Sequence, residues 1–282
     1  MFKIKNKYYL VRNKENKPMD EISKMKEKAK EGWSSFIPFE ALTSTAAPKL
    51  VRFAKVDRNS KVLDVACGTG VVGLTAARQG AVVKGLDLTP TLIGRARENA
   101  KIMSLDVDFV EGDAEKMPFY DEEFDIVVSQ YGHMFAPRPD VAIDEMARVL
   151  KTGGILAFST WPTEMFMGQF FRLIGEFSPP LPDGTSSPVL WGDIKIISER
   201  LEKKFKNIEF ARDAMMAPTL SPLHMLNVFE KNAGPLAKLV EALADNTNKL
   251  QDLRTRTLDL ISKFFLDNYL RQDFLMTKCI KK

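Results

Sequence analysis

The sequence predicts an α/β protein with a mostly parallel sheet and helices packed on both faces. Two observations carry that expectation. The stretch 61–73, KVLDVACGTGVVG, runs from an apolar segment through small residues into an apolar helical pattern. That is the pattern of a buried parallel strand, a glycine turn and a helix start. Downstream, apolar runs of strand length alternate with helical patterns as far as residue 160, and such alternation builds a doubly covered sheet. The 282 residues, 45% hydrophobic and 28% charged, suit one large domain or a domain with an insert.

The elements follow in order. Residues 1–32 read as a basic helical segment, with good helix formers over 20–30 and no strong core stripe. Residues 33–56 place Phe36, Phe39, Leu42, Ala46, Leu50 and Phe53 at spacings of mostly three or four. This is an amphipathic helical region broken near Pro38 or Pro48, with Trp33 expected in the core and a place beside the cofactor pocket as the alternative. After the glycine turn, 71–79 is a helix closed by Gly80. Residues 81–88 form a second buried strand, and Thr89-Pro90 starts a helix reaching about Met103. Strands are expected at 107–111, 124–129 and 155–160, with a helix over 140–150.

Residues 161–192 break this rhythm. Met165, Phe166, Met167, Phe170, Phe171 and Phe177 crowd one segment, and a proline-rich loop leads on to Trp191. So many large apolar groups cannot share one helical stripe, and the segment is expected to cover the carboxyl ends of the strands. A helix over 193–205 and a strand over 208–216 follow. Residues 219–268 read as a helical insert, helical over 222–265. Residues 269–282 carry the final strand, 273–280, antiparallel to 208–216.

Composition narrows the function classes. The net charge of +4 is concentrated in residues 1–31, with ten Lys/Arg against five Asp/Glu, and the rest is nearly neutral. A neutral body disfavours a nucleic-acid groove, and the basic amino end reads as a solvated helix or tail. No stretch resembles a secretory signal or approaches the ~20 apolar residues of a membrane span. Two cysteines, Cys67 and Cys279, are too few for a disulfide framework, so a cytoplasmic location is expected. With only His133 and His224 as histidines, no transition-metal site is expected.

The glycine turn admits two readings. Gly68-x-Gly70-x-x-Gly73, with Asp87 further on, fits a dinucleotide site and hence an NAD-dependent oxidoreductase. Asp64, four positions before Gly68, lies outside that fingerprint. Asp64-Val65-Ala66-Cys67-Gly68-Thr69-Gly70 resembles motif I of the class I S-adenosylmethionine-dependent methyltransferases, with Ala66 in place of the first glycine. Glu111-Gly112-Asp113-Ala114-Glu115-Lys116-Met117-Pro118-Phe119 resembles the segment after strand three in the ubiquinone/menaquinone-biosynthesis (UbiE-like) methyltransferases. Phe124–Ser129 and Arg148–Gly154 resemble the same family's fourth strand and helix–strand junction, with Thr152 where proline is usual. With Asp87 ending strand two, which both readings want, these make five matches in order over about 100 residues and identify the chain as a member of the class.

The resemblance implies a Rossmann-like seven-stranded sheet, with residues 33–218 as the S-adenosylmethionine-binding core. It implies S-adenosylmethionine as cofactor and S-adenosylhomocysteine as product. Asp87 and Leu88 would meet the ribose side, Asp113 the adenine amino group, and the Ala114 N–H a ring nitrogen. Ala66, Gly68 and Gly70 would hold the methionine part, Asp64 would order the turn, and Ser129 closes the set at the end of strand four. The segment Ser129-Gln130-Tyr131-Gly132-His133-Met134-Phe135 carries neither the Asn/Asp-Pro-Pro-Tyr/Phe of many amide and nucleobase methylators nor a cysteine. A small-molecule acceptor, taking methyl on oxygen, carbon or a free amine, is therefore expected. His133 is the candidate general base, with Tyr131 beside it. A non-catalytic protein that binds S-adenosylmethionine is the alternative reading.

Overall fold

A computed structural model describes residues 19–282. Helix α1 (Glu21–Trp33) leads through a 3-10 stretch, Ser34–Phe39, to α2 (Glu40–Ser44) and α3 (Ala47–Phe53). Then come β1 (Lys61–Val65), α4 (Val71–Arg78), β2 (Val82–Asp87), α5 (Pro90–Ile102), β3 (Asp108–Glu111), β4 (Phe124–Gln130), α6 (Pro139–Val149) and β5 (Leu150–Thr160). The second half holds α7 (Phe166–Phe177), α8 (Ile194–Leu201), β6 (Phe205–Pro218), α9 (Pro222–Asn232), α10 (Gly234–Ala242), α11 (Thr247–Phe264), β7 (Phe265–Leu266) and β8 (Tyr269–Lys281).

The strands form one sheet in the order β3-β2-β1-β4-β5-β8-β6, with β7 pairing β8. β1 to β5 are parallel, and β8 runs antiparallel to both β5 and β6. The seven expected strands are present, and the two-residue β7 is an addition made by the chain folding back before Asp267-Asn268. Neighbouring residues of β1 serve opposite cores. Val62 packs with Leu50, Val72 and Ala76, whereas Leu63 and Val65 pack with Met146, Ala147 and Phe158. A strand covered on both faces carries apolar residues on both, which is why Val62, Leu63 and Val65 read as a run interrupted only by Asp64.

The expected helical insert is three helices. The chain bends at Ala233-Gly234 and again at Asn246, whose side chain accepts from Lys249 N. Gly234 lies against Gly32 of α1, and a Cβ there would meet Gly32 O at 2.5 Å. The three helices share a core with α7, in which Phe166 and Phe170 meet Phe229 of α9. Among the described residues no helix is long and apolar enough to cross a membrane.

Strand order reverses between β1 and β4, so the loops at their carboxyl ends diverge and open a crevice. All candidate cofactor residues lie on the turns that follow β1, β2, β3 and β4, or at the ends of those strands.

Candidate active site

The crevice holds a cavity of about 220 Å³. One side is the glycine turn. Asp64 is buried in β1, its Oδ2 accepts from Gly73 N at 2.8 Å, and its Oδ1 has no partner. Burial raises its pKa to about 7, against the opposing pull of the Gly73 N–H. Gly68 has φ +55°, and a Cβ on it would meet nothing within 4 Å, so the backbone face of the turn is open to a ligand. Asp87 accepts from Gly68 N and Thr89 N, both at 2.8 Å. Burial raises its pKa, and those two N–H groups oppose the rise. Leu88, Asp113 and Ala114 line the same side.

Ala66 takes φ +53°, a region glycine enters freely and alanine at a cost. Its Cβ presses on Gly132, where an added Cβ would lie 2.5 Å away. Ala66→Gly is expected to raise stability by about 1 kcal/mol, less what the more flexible unfolded chain takes back. Denaturant unfolding checks this, and a loss of stability would place the benefit of the methyl group above its strain.

Other expectations are corrected. His133 does not line the cavity. Its ring is fully buried between Phe158 and Trp191, with centroids at 4.5 and 4.7 Å, and neither ring nitrogen has a partner. Burial, with the nearby Arg200 cation, pushes its pKa down to about 3, so the ring is neutral at physiological pH. The 3-10 turn His133–Phe135 after β4 rolls the imidazole under the sheet and presents Phe135 instead. Ser129 also turns away, its Oγ donating to Val65 O at 2.7 Å and accepting from His133 N. Tyr131 does line the cavity, but as a wall. Its ring stacks on Trp161 at 3.8 Å, its hydroxyl donates to Met215 Sδ, and burial raises its pKa well above the usual phenol value. Trp191, expected in the cover, is buried with its indole over Phe158 and under Arg200.

The amino-terminal region supplies what the sequence did not suggest. Met25, Lys26, Ala29 and Trp33 of α1, followed by Phe36 and Phe39, line the cavity, so Trp33 is a site residue and not only a core anchor. Residues 19–32 are therefore no solvated tail, and residues 1–18 lie outside the described chain. Lys26 Nζ reaches Asp113 Oδ2 and Glu115 Oε2, each at 2.6 Å, and the buried Glu115 also pairs with Arg138. Isolated basic residues in a polar helix give no warning of such a pairing. Lys26→Met should cost about 1–3 kcal/mol by leaving Glu115 one cation short. The readout is faster hydrogen exchange across Glu21–Trp33, and unchanged exchange there would mean that α1 is held by its apolar face alone.

α7 divides its large residues between two neighbours. Phe166 and Phe170 pack on the insert, while Met167 and Phe171, with one edge of Phe170, line the cavity. Trp33, Phe135 and Phe171 make a chain of ring contacts, at 4.7 Å and 5.3 Å between centroids.

Comparison with known proteins bears on the family and the fold. Residues 63–158 match the family described as a methyltransferase domain. An uncharacterized protein of Mycobacterium tuberculosis (strain ATCC 25618 / H37Rv) is 32% identical over 238 residues, 84% of this chain and 87% of that one. The demethylmenaquinone methyltransferase of Staphylococcus carnosus (strain TM300) is 34% identical over 139 residues, 47% of this chain and 57% of that one. A candidate methyltransferase from Bacillus halodurans C-125 shares the fold at TM-score 0.58 and 22% identity, covering 84% of this chain and 98% of that one. The chain belongs to the class I S-adenosylmethionine-dependent methyltransferases and is an enzyme of that class. Within the class it stands in one family with the mycobacterial proteins that are 32% identical to it over most of its length.

The residues present fit the cofactor. The unpartnered Asp64 Oδ1 suits an ammonium group or a water bound to one, and the open Gly68 backbone suits close approach of the amino-acid part. Asp87 spends one acceptor position on each oxygen within the protein and has others left, which suits vicinal hydroxyls.

Proposed function

We propose that this methyltransferase acts on a small, largely apolar molecule whose acceptor atom, whether oxygen, carbon or a free amine nitrogen, is nucleophilic without help from a protein base. The observation that carries this reading is the distribution of charge in the cavity. Its charged lining residues are Lys26, Asp64, Asp87 and Asp113, and all four belong to the cofactor side. The remaining wall is Trp33, Phe36, Phe135, Trp161, Met167, Phe171 and Met215, with few polar groups.

When bound, S-adenosylmethionine supplies an electrophilic methyl on a sulfonium whose departure leaves a neutral thioether. The chain's own part is to bind, orient and keep water out. Asp87 and Asp113 hold the adenosine, and the glycine turn with Asp64 holds the amino-acid end. The aromatic wall excludes water from the reacting side and aligns the acceptor for in-line displacement. With His133 withdrawn and Tyr131 protonated, no group on the acceptor side among the described residues is suited to remove a proton at neutral pH.

The test is incubation with methyl-labelled S-adenosylmethionine and a cell extract. Label should enter an organic-extractable small molecule. Label confined to protein or nucleic acid would refute the reading.

A further inference from the structure

Two polar side chains that do not line the cavity hold the glycine turn from outside it. Thr69 is buried between Gly68 and Gly70 and lines the cavity. Its carbonyl accepts from Asn99 Nδ2 of α5 at 3.1 Å, and the next N–H, on Gly70, donates to Cys67 O at 2.9 Å. The Thr69–Gly70 peptide is therefore fixed at both ends. Without Asn99 that peptide turns over at little cost, because Gly70, at φ +83°, lacks the Cβ that restricts other residues. A peptide unit is rigid, so turning it over redirects the N–H and C=O groups that the turn offers to a ligand.

Asn99 is held in turn by Glu40. Its Nδ2 also donates to Glu40 Oε2 at 2.8 Å. Carbonyl and carboxylate oxygens only accept, so the two contacts identify this end of the amide as nitrogen. Glu40 opens α2 and accepts from Nε and Nη2 of Arg95, at 3.1 and 2.9 Å. Burial opposes its charge, but the hydrogen bonds from Arg95 and Asn99 prevail and hold its pKa below the usual carboxylate value. α2 belongs to the cavity wall. Phe36 and Phe39 just before it, and Leu42 and Thr43 within it, line the cavity, and Thr43 O accepts from Gln130 Nε2 at the end of β4. One short helix thus joins the glycine turn to the far side of the crevice.

We propose that Asn99 and Glu40 are positioning residues of the methyl-transfer site. Asn99 sets the Thr69–Gly70 peptide for the cofactor, and Glu40 passes the order of that peptide to the wall formed by 36–43. Cofactor that orders the turn then also orders the wall against which the acceptor packs. No displacement is required, since restricting the motion of one site through a shared network is enough to couple it to another.

The test uses the full chain with S-adenosylhomocysteine and no acceptor, so its outcome leaves the apolar acceptor reading untouched. Saturating S-adenosylhomocysteine should slow amide hydrogen exchange across 36–44 by about fivefold in the wild-type protein. Asn99→Ala should weaken S-adenosylhomocysteine binding by about tenfold, the scale of one lost hydrogen bond to the turn. Glu40→Ala should cut the protection across 36–44 to about twofold or less at saturation. Glu40→Gln keeps an oxygen for Asn99 and should restore most of that protection. If Glu40→Ala does not fold, Asn99→Ala, which cuts the same relay at the turn, must show the lost protection. Unchanged affinity in Asn99→Ala, or wild-type protection in Glu40→Ala, overturns the relay. So does absence of protection across 36–44 in the wild-type protein. An equal rise in exchange throughout β1 to β5 in both alanine variants would make the pair part of the fold alone, and would overturn it too. Failure of the wild-type protein to bind S-adenosylhomocysteine would strike the cofactor site and the relay together.

Discussion

Asp87→Ala is expected to weaken S-adenosylhomocysteine binding by about 1–3 kcal/mol, or roughly 5- to 150-fold. The carboxylate has two duties that are geometrically separate. It orders the turn by accepting from Gly68 N and Thr89 N, each at 2.8 Å, so the backbone that faces the ligand is set before binding. It also lines the cavity, and its remaining acceptor positions are the ones proposed for the ribose hydroxyls. Alanine removes both functions, whereas Asp87→Asn keeps one oxygen and loses the charge. Asparagine should therefore recover part of the affinity if turn order dominates, and little if the ribose hydroxyls need two oxygens. Calorimetry with S-adenosylhomocysteine and with NAD gives the answer. Undiminished affinity in Asp87→Ala would remove Asp87 from the cofactor site, and tight NAD binding without a response to S-adenosylhomocysteine would return the oxidoreductase reading.

The strands from β1 to β5 were legible because each is an apolar run closed by glycine, proline or an N-cap, and these are local signals. The antiparallel pair β6 and β8 was legible from strand-like patterns on either side of a helical stretch. The acceptor side was legible only in part: the apolar segment 165–177 and Tyr131 were expected there, but the rest of the wall was not, because three distant segments build it. Trp33 and Phe36 come from the amino-terminal region, Met167 and Phe171 from α7, and Gln272 from β8. A spacing of three or four marks a helix face and does not say whether that face meets a core or a ligand. α7 illustrates the limit. Its apolar crowding announced two partners, and only the folded chain separates Phe166 from Phe171. His133 misled for a related reason. Its position after β4 placed it near the chemistry, but a three-residue turn decides which of His133 and Phe135 faces the cavity.

His133→Phe is expected to preserve turnover and to remove an acid sensitivity from the fold. The imidazole lies in an aromatic nest with both nitrogens unpaired, so a phenyl ring of similar shape loses no hydrogen bond and sheds the cost of two buried polar atoms. The sign of the pH effect follows from the depressed pKa of about 3. In the unfolded chain the ring takes a proton below about pH 6.5, whereas in the folded chain it stays neutral until about pH 3. Between those limits the unfolded state binds one more proton, and stability falls as the pH is lowered, by about 1.4 kcal/mol per unit from this residue. His133→Phe should flatten that part of the profile and raise stability near neutrality by about 1 kcal/mol or more. Urea unfolding at a series of pH values, alongside methyl-transfer rates, tests both halves. If turnover collapsed while stability and S-adenosylhomocysteine affinity held, His133 would have to reach the acceptor after all, and the base-free account would fail.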